Sequence, residues 1–454
     1  MTRTEPAAAR LFGTDGIRGV AGRYPLDRST VSRLGAALVR SLPRQNDPPR
    51  LLVGRDTRES GVWIEDALSA GACGEGATIT SVGVAPTPAV AYLTQADGHD
   101  AGVVISASHN LFEDNGIKVF SGRGEKFTER VEREVESILS DRAWTVRLDT
   151  SGRVERDGLI DAYLQHLRGV LDTGGGAGID GLLVAVDCAN GATTRVAPAL
   201  FGSLGIRTVI VGDTPDGRNI NLDCGSTHPE LLSRTVVSRG CQLGVAFDGD
   251  GDRAIFVDHT GRVIDGDAVL LMCARRLQRE GRLKGAAVVA TVMSNLGLEI
   301  ALRETGIDLV RCPVGDKYVM EAMLERGLSL GGEQSGHIIF SEYLFTGDGL
   351  CTALNVLRTL AMTGRSLADL ASGLVTCPQI LLNVRVREKV DLSSVPAIAE
   401  TMAVVESRLE GKGRLLVRYS GTEPLLRVML EGQSDTDIRR WADEIVEVVE
   451  RHLG

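Results

Sequence analysis

Residues Leu243–Phe256 read LGVAFDGDGDRAIF. Leu243–Phe247 is a continuous apolar run, the pattern of a strand buried on both faces of a sheet. It breaks at once into Asp248, Asp250 and Asp252, alternating with glycines. An apolar strand that ends in small and polar residues is how open α/β sheets present their ligand loops. Three carboxylates this close repel one another and call for a counter-cation. Their hard oxygens suit magnesium or calcium. An EF-hand needs Gly at its sixth position and Glu at its twelfth; here Arg253 and His259 stand there, so that reading fails. The bland alternative is a solvated acidic turn, but placement at the end of a buried strand favours a metal site. Three protein ligands leave room for one more oxygen, such as that of a phosphate.

Working outward, the same device recurs. LLVGRDTRESG (51–61) is followed by VVISASHN (103–110), LLVAVDCANGA (182–192) by LGVAFDGDGD, and VVATVMSN (288–295) by LSLGGEQSGH (328–337). Strand-like runs at Leu51–Val53, Val103–Ile105, Leu182–Val186, Leu243–Phe247 and Val288–Val292 alternate with helical periodicity. The helical stretches are Ser29–Leu42, Arg130–Leu139, Ala268–Arg279, Tyr318–Arg326 and Leu350–Met362. The pattern predicts three related α/β units with mixed, largely parallel sheets. A fourth part differs: QILLNVRVREK alternates like a half-exposed antiparallel strand, then come a helix (Ala397–Leu409), two more strands and a last helix (Asp437–His452). The predicted domains are 1–160, 161–258 and 259–373, all α/β, and a smaller α+β domain, 374–454.

The chain of 454 residues has 43% hydrophobic and 24% charged residues, ordinary values for a globular protein. A net charge of −10 gives no sign of nucleic-acid or acidic-membrane binding, so an anionic ligand needs local cations. The eight cysteines form no C-x-x-C pair and read as buried reduced thiols. No signal-peptide or membrane-span pattern is present, and a cytoplasmic location is the expectation. Gly176–Gly181 matches G-x-G-x-x-G but precedes a strand instead of following one, so the dinucleotide reading fails. Gly327–Gly331 matches G-x-S-x-G, with Ser329 in a strand-like run and not at an elbow, so it reads as structural.

Four further loops carry chemistry. In GGEQSGH (331–337), Glu333 and Ser335 can bond sugar hydroxyls and His337 can carry charge, among glycines that let backbone approach a ligand. In RYSGTEPLLR (418–427), Arg418, Ser420, Gly421, Thr422 and Arg427 combine donors suited to a phosphate. Arg18, Arg55 and Arg58 lie in Gly/Asp-rich loops and read as cations or as ordinary surface pairs. In SASHN, Ser108 beside His109 invites a hydrolase reading. Neighbours on an extended chain point to opposite sides, and no orienting acid or oxyanion hole is visible, so Ser108 calls for another role.

Together these stretches resemble the α-D-phosphohexomutase superfamily, and within it the bacterial phosphoglucosamine mutases. LFGTDGIRG, VGRDTRESG, VISASHNLFEDNGIKVFSG, VDCANGA, FDGDGDR, MSNLGLE, VGDKYV, GGEQSGH, TGDGL and RYSGTEPLLRVMLEG follow in family order from Leu11 to Gly432. The resemblance implies four domains around a central cleft. It implies that Ser108 is carried as phosphoserine, with Mg2+ held by Ser108, Asp248, Asp250 and Asp252. The implied reaction is the interconversion of glucosamine 6-phosphate and glucosamine 1-phosphate through a sugar bisphosphate, on the route to UDP-N-acetylglucosamine and cell-wall precursors. Arg18, His109 and Lys118 are implied as catalytic groups, Arg253, Glu333, Ser335 and His337 as substrate contacts, and the Arg418–Arg427 loop as the grip on the non-transferring phosphate. The implied partner is a small hexosamine phosphate, with no nucleic acid or membrane, and the enzyme a monomer or homodimer. The alternatives are a phosphoglucomutase or phosphomannomutase of the same superfamily, or a catalytically silent sugar-phosphate binding protein. Two positions depart from the family pattern: Leu111 stands where proline is usual, and Tyr419 where lysine is frequent.

Overall fold

A computed structural model describes residues 10–43, 47–141, 143–156, 158–171, 178–409, 411–420 and 424–454. The chain forms two compact bodies, Met1–Met293 with Leu309–Ser372, and Ser294–Asp308 with Gly373–Gly454.

The first body is built on three mixed sheets. The first contains β1 (Ile17–Val20), β2 (Arg50–Arg55), β3 (Thr78–Val84), β4 (Ala101–Ile105), β5 (Asp114–Ser121) and β6 (Arg153–Glu155), in the order β1-β5-β4-β2-β3-β6. The second contains β7 (Leu183–Asp187), β8 (Arg207–Val211), β9 (Leu243–Phe247), β10 (Ala254–Asp258) and β11 (Val263–Ile264), in the order β11-β10-β9-β7-β8. The third contains β12 (Ala287–Thr291), β13 (Asp308–Cys312), β14 (Leu330–Gly332) and β15 (Ile338–Phe340), in the order β13-β12-β14-β15.

One topology recurs in all three. The central strands pair in parallel, β2 with β4, β7 with β9 and β12 with β14. An antiparallel strand follows on the next edge: β5, β10 or β15. The three pairs of motifs found in the sequence are these central strands. In each sheet the chain crosses to one side of the first central strand and then to the other, so the loops after both strands flank a topological switch point. Ligands of open α/β sheets bind there.

The elements form where the apolar periodicity places them, with ends set by caps. Asp27, Asp265 and Asp348 each accept a backbone N–H at the start of the helices Arg28–Ser41, Gly266–Arg279 and Gly349–Thr363. Gly240, Gly327 and Gly364 end helices in the left-handed conformation. The first sheet and its helices close over a core that includes Leu38, Leu51, Val53, Ile64, Val103 and Ile117.

In the second body, β16 (Gln379–Arg385), β17 (Arg414–Tyr419) and β18 (Leu425–Glu431) form an antiparallel sheet in the order β16-β18-β17. The helices Pro396–Leu409 and Asp435–Leu453 cover it through Ile398, Val405, Ile445 and Val449. The helix Leu296–Arg303 belongs to this body, where Asn295 donates to Cys377 O (3.0 Å) and Glu431 Oε1 (3.2 Å).

The Asp348 cap is fully buried, and its carboxylate accepts from Tyr163 Oη at 2.9 Å. Burial pushes its pKa up from 3.8 to about 6, against the opposing pull of the Cys351 N–H and the Tyr163 hydroxyl. The folded state therefore binds this proton more tightly than the unfolded chain does. Stability from this group rises as pH falls below about 6 and is lost above it. Asp348→Asn removes the charge, keeps an oxygen for the Cys351 N–H and turns an NH2 group toward Tyr163 Oη, which can accept from it. It is expected to stabilise the protein at pH 8 by up to about 3 kcal/mol, with the gain shrinking toward pH 5 in thermal unfolding.

Candidate active site

The loops after the central strands meet in a buried cluster of charges. Asp248, Asp250 and Asp252 are all buried, and their oxygens lie within 4.8 Å of one another. The alternating glycines explain how the loop fits. A Cβ on Gly249 would lie 2.6 Å from Ser108 O, and Gly251 has φ +72°, so both positions demand glycine. Gly249 thereby lets the acidic loop touch the serine loop.

Ser108 follows β4 in the left-handed region, at φ 53°. Its Oγ donates to Asp248 Oδ2 at 2.5 Å and lies 3.2 Å from His109 Nδ1. The strand rule placed His109 on the opposite side from the Ser108 hydroxyl. The rule fails because the chain has left the strand by then, and the turn folds both side chains together. Among the described residues, no carboxylate hydrogen-bonds the other nitrogen of His109, so a hydrolase triad is still missing. Burial, with Arg253 and Arg18 nearby, lowers the His109 pKa to about 4.

Lys118 lies on β5, opposite Val104 of β4. Its ammonium reaches Asp250 (2.8 Å), Asp252 (2.9 Å) and Asp15 (3.0 Å). Burial works against its charge, but the three carboxylates raise its pKa well above the usual value. Asp15 also pairs with Arg18 and Lys126, and Lys126 pairs in turn with Asp316. Burial disfavours the Asp15 charge, yet Lys118, Lys126 and Arg18 hold its pKa well below the ordinary range. Asp248 goes the other way: burial, then Asp252 and Asp250, push it well above. Asp250 Oδ1 and Asp252 Oδ1 are buried without a protein partner. Three clustered carboxylates with unused oxygens fit a divalent cation that needs oxygen ligands.

A cavity of about 570 Å³ opens beside this cluster, lined in part by Arg18, His109, Asp252, Arg253, Glu333 and Ser335. Six residues singled out in the sequence, from all three sheets, share one wall. Glu333 Oε1 accepts from Gly315 N at 3.2 Å. His337 is buried and does not line the cavity; its Nε2 is 3.5 Å from Asp316. Asp15, Lys126 and Asp316 went unassigned in the sequence. The first sits inside the quoted LFGTDGIRG, but nothing local distinguishes a buried Asp or Lys from a solvated one.

In the second body, Arg418 and Arg427 lie directly opposite each other on β17 and β18. Burial, and then Arg427, lower the Arg418 pKa. Like charges facing across a strand pair are unfavourable until an anion joins them. Ser420 is buried, and its carbonyl accepts from Lys389 Nζ at 2.6 Å. Gly421 and Thr422 lie outside the described residues. Tyr419, counted on sequence as a lost positive charge, turns its hydroxyl to accept from Val390 N (3.2 Å), while Lys389 places a cation at the same loop.

Family models match the chain in four consecutive stretches. They are phosphoglucomutase/phosphomannomutase alpha/beta/alpha domain I at residues 9–145, domain II at 161–261, domain III at 265–377 and the C-terminal domain at 381–448. The chain belongs to the phosphoglucomutase/phosphomannomutase family. Among curated members of this family, a phosphoglucosamine mutase of Solibacter usitatus is 48% identical, over 98% of this chain and 100% of its own. A phosphoglucomutase/phosphomannomutase family protein of Burkholderia thailandensis superposes with a TM-score of 0.79 at 25% identity, covering 97% of each chain. The fold is also that of an N-acetylphosphoglucosamine mutase of Aspergillus fumigatus, solved in complex with GlcNAc-6P and magnesium (TM-score 0.66, 18% identity, 97% and 95% covered).

In the family fold seen here, one ammonium offsets three carboxylates, two of them fully enclosed. Lys118→Met is expected to lower the thermal midpoint by the equivalent of roughly 3–5 kcal/mol, because it leaves buried charge unpaired. Millimolar magnesium is expected to raise the midpoint more in this variant than in the parent, a difference that scanning fluorimetry resolves.

Proposed function

We propose that the protein is a phosphoglucosamine mutase, interconverting glucosamine 6-phosphate and glucosamine 1-phosphate through a phosphoserine at Ser108. The observation that carries the chemistry is the Ser108 hydroxyl hydrogen-bonded to the first of three clustered aspartates. The substrate rests on curated relatives named phosphoglucosamine mutase, 43–48% identical over nearly the whole chain.

Asp248, Asp250 and Asp252, with the phosphate on Ser108, would hold Mg2+. When bound, the ion offsets negative charge on the phosphoryl group in transfer. The remaining work falls to the protein. Arg18 and Arg253 line the cavity and add positive charge where the phosphoryl oxygens move. Glu333 and Ser335 take sugar hydroxyls from the same cavity, and His337 stands beside Asp316, which also lines it. Arg418, Ser420, Gly421, Thr422 and Arg427 take the phosphate that is not being transferred.

The phosphoryl group passes from Ser108 Oγ to the C1 hydroxyl of glucosamine 6-phosphate. The P–Oγ bond breaks, a P–O1 bond forms, and the hydroxyl proton ends on Ser108. We assign His109, 3.2 Å from Oγ, and Lys118, which pairs with the neighbouring Asp250, to the handling of that proton. The glucosamine bisphosphate then turns end for end. Its 6-phosphoryl group moves to Ser108 Oγ, O6 regains a proton, and glucosamine 1-phosphate leaves with the phosphoserine restored. We place the reaction in the cytoplasm, in keeping with eight free thiols, seven of them buried.

Intact-mass analysis is expected to find one phosphoryl group, mapped to Ser108, after incubation with a hexosamine bisphosphate and magnesium. Ser108→Ala is expected to lower kcat by at least roughly a thousandfold, as loss of a covalent nucleophile does. In a panel of glucosamine, glucose and mannose phosphates, glucosamine is expected to give the highest kcat/KM. Faster turnover of glucose 1-phosphate would instead make the protein a phosphoglucomutase.

A further inference from the structure

Arg58 reads on sequence as a surface cation, and nothing assigned to the reaction uses it. In the structure its guanidinium is completely buried. A guanidinium has five N–H donors, and here all five are spent. Nε donates to Asp56 Oδ2 at 2.8 Å. One terminal nitrogen donates to Ser108 O (3.1 Å) and Asn110 O (2.7 Å), and the other to Asp114 O (3.0 Å) and Leu111 O. Asp56 closes the circuit: it accepts from Ser106 Oγ at 2.6 Å, and that hydroxyl accepts from Ser108 N at 2.9 Å.

A second clamp comes from the second sheet's loops. Both hydrogens of the Asn221 carboxamide are also spent, on Ser108 O (2.8 Å) and Asn110 O (2.9 Å). Asn221 is itself held at φ 58° by its N–H to Ala189 O at 2.9 Å. Among the described residues, five of the six non-glycine residues with positive φ are Ser108, Ala189, Asn190, Asn221 and Asp223, gathered on three loops: the serine loop and the loops after β7 and β8. Such conformations persist only where surrounding bonds over-determine them, and they concentrate where function needs a fixed geometry. VDCANGA, a motif without a role so far, supplies two of the five.

The geometry points to Arg58 and Asn221 as positioning residues that hold the Ser108 backbone in the left-handed conformation from which its hydroxyl meets Asp248. Resting on the phosphoserine reading, this gives the clamp a task. Ser108 gives up a phosphoryl group and takes one back in each cycle while the intermediate turns, so the hydroxyl must stay aimed when nothing is attached to it. The clamp also accounts for Leu111, which stands where the family favours proline. Its side chain is 48% exposed, and the loop is held there through its carbonyl, which any residue supplies.

Lysine at position 58 keeps the charge but has three donors at one point. Glycine at 221 keeps the positive φ and loses the carboxamide. Arg58→Lys and Asn221→Gly are each expected to lower kcat about 10- to 100-fold with KM for glucosamine 6-phosphate within about twofold. Hydrogen exchange of the amides of residues 106–114 is expected to speed up in both, and Leu111→Pro to change neither readout. A purely structural role would move the thermal midpoint and not separate kcat from KM. Folded variants with parental kcat and unchanged exchange would overturn the proposal. If Arg58→Lys does not fold, Asn221→Gly decides. If the parent enzyme turns over no hexosamine phosphate, the functional reading falls, and the exchange comparison still decides the clamp.

Discussion

The first body is organised around one ammonium. Lys118 is shared by Asp15, Asp250 and Asp252, all within hydrogen-bonding range; Lys118, Asp250 and Asp252 are nearly out of contact with water, and Asp15 is half-buried at the cavity's edge. Taking ions out of water costs several kcal/mol each, and only close, multiple pairing offsets it. The acidic loop after β9 therefore cannot adopt its buried position alone. It needs β5 from the first sheet to deliver Lys118, the loop before β1 to deliver Asp15, and β1 itself to deliver Arg18. Lys126 and Asp316 extend the chain of alternating charges to the third sheet. A protein with a net charge of −10 thus gathers Arg18, Lys118, Lys126 and Arg253 around Asp15 and the acidic loop.

The repeated topology makes this convergence possible. In each sheet the parallel central strands end at a switch point, so two loops per sheet face the same way. Three sheets then contribute the serine loop, the acidic loop and the Glu333 loop as separate parts. The glycines between the aspartates are the steric condition for joining two of them, since a side chain at position 249 would collide with the Ser108 carbonyl.

Much of this was legible in the sequence. The period of the apolar residues placed the central strands to within about two residues, because buried parallel strands are short apolar runs with abrupt ends. The two motifs of each pair prove to lie on neighbouring strands, because open α/β sheets gather their polar loops at the ends of both central strands. Arg58, Asn221, Asp15 and Lys126 were not legible. Their partners lie far away in sequence, more than a hundred residues from Asn221 to Ser108, and an isolated Arg or Asn carries no mark of burial. The His109–Ser108 contact was misread for a different reason: alternation holds inside a strand, and these residues stand just past its end. The cation that Lys389 brings to the Ser420 carbonyl was not legible either, because it reaches the loop through space from 31 residues away.

The site separates two kinds of polar work. Side chains that face the cavity or the acidic cluster keep oxygens and charges unspent, as Asp250 Oδ1 and Asp252 Oδ1 do. Side chains behind them have spent every donor, on backbone carbonyls and, for Arg58 Nε, on the Asp56 carboxylate, as Arg58 and Asn221 do. The unspent groups can exchange one partner for another during a reaction at little cost, whereas the spent ones resist any movement of the loop they hold. For a serine that accepts what it has just given away, as proposed for Ser108, both are needed, one behind it and one beside it. The hold falls on the carbonyls of residues 108, 110, 111 and 114, so the exposed Leu111 side chain takes no part in it.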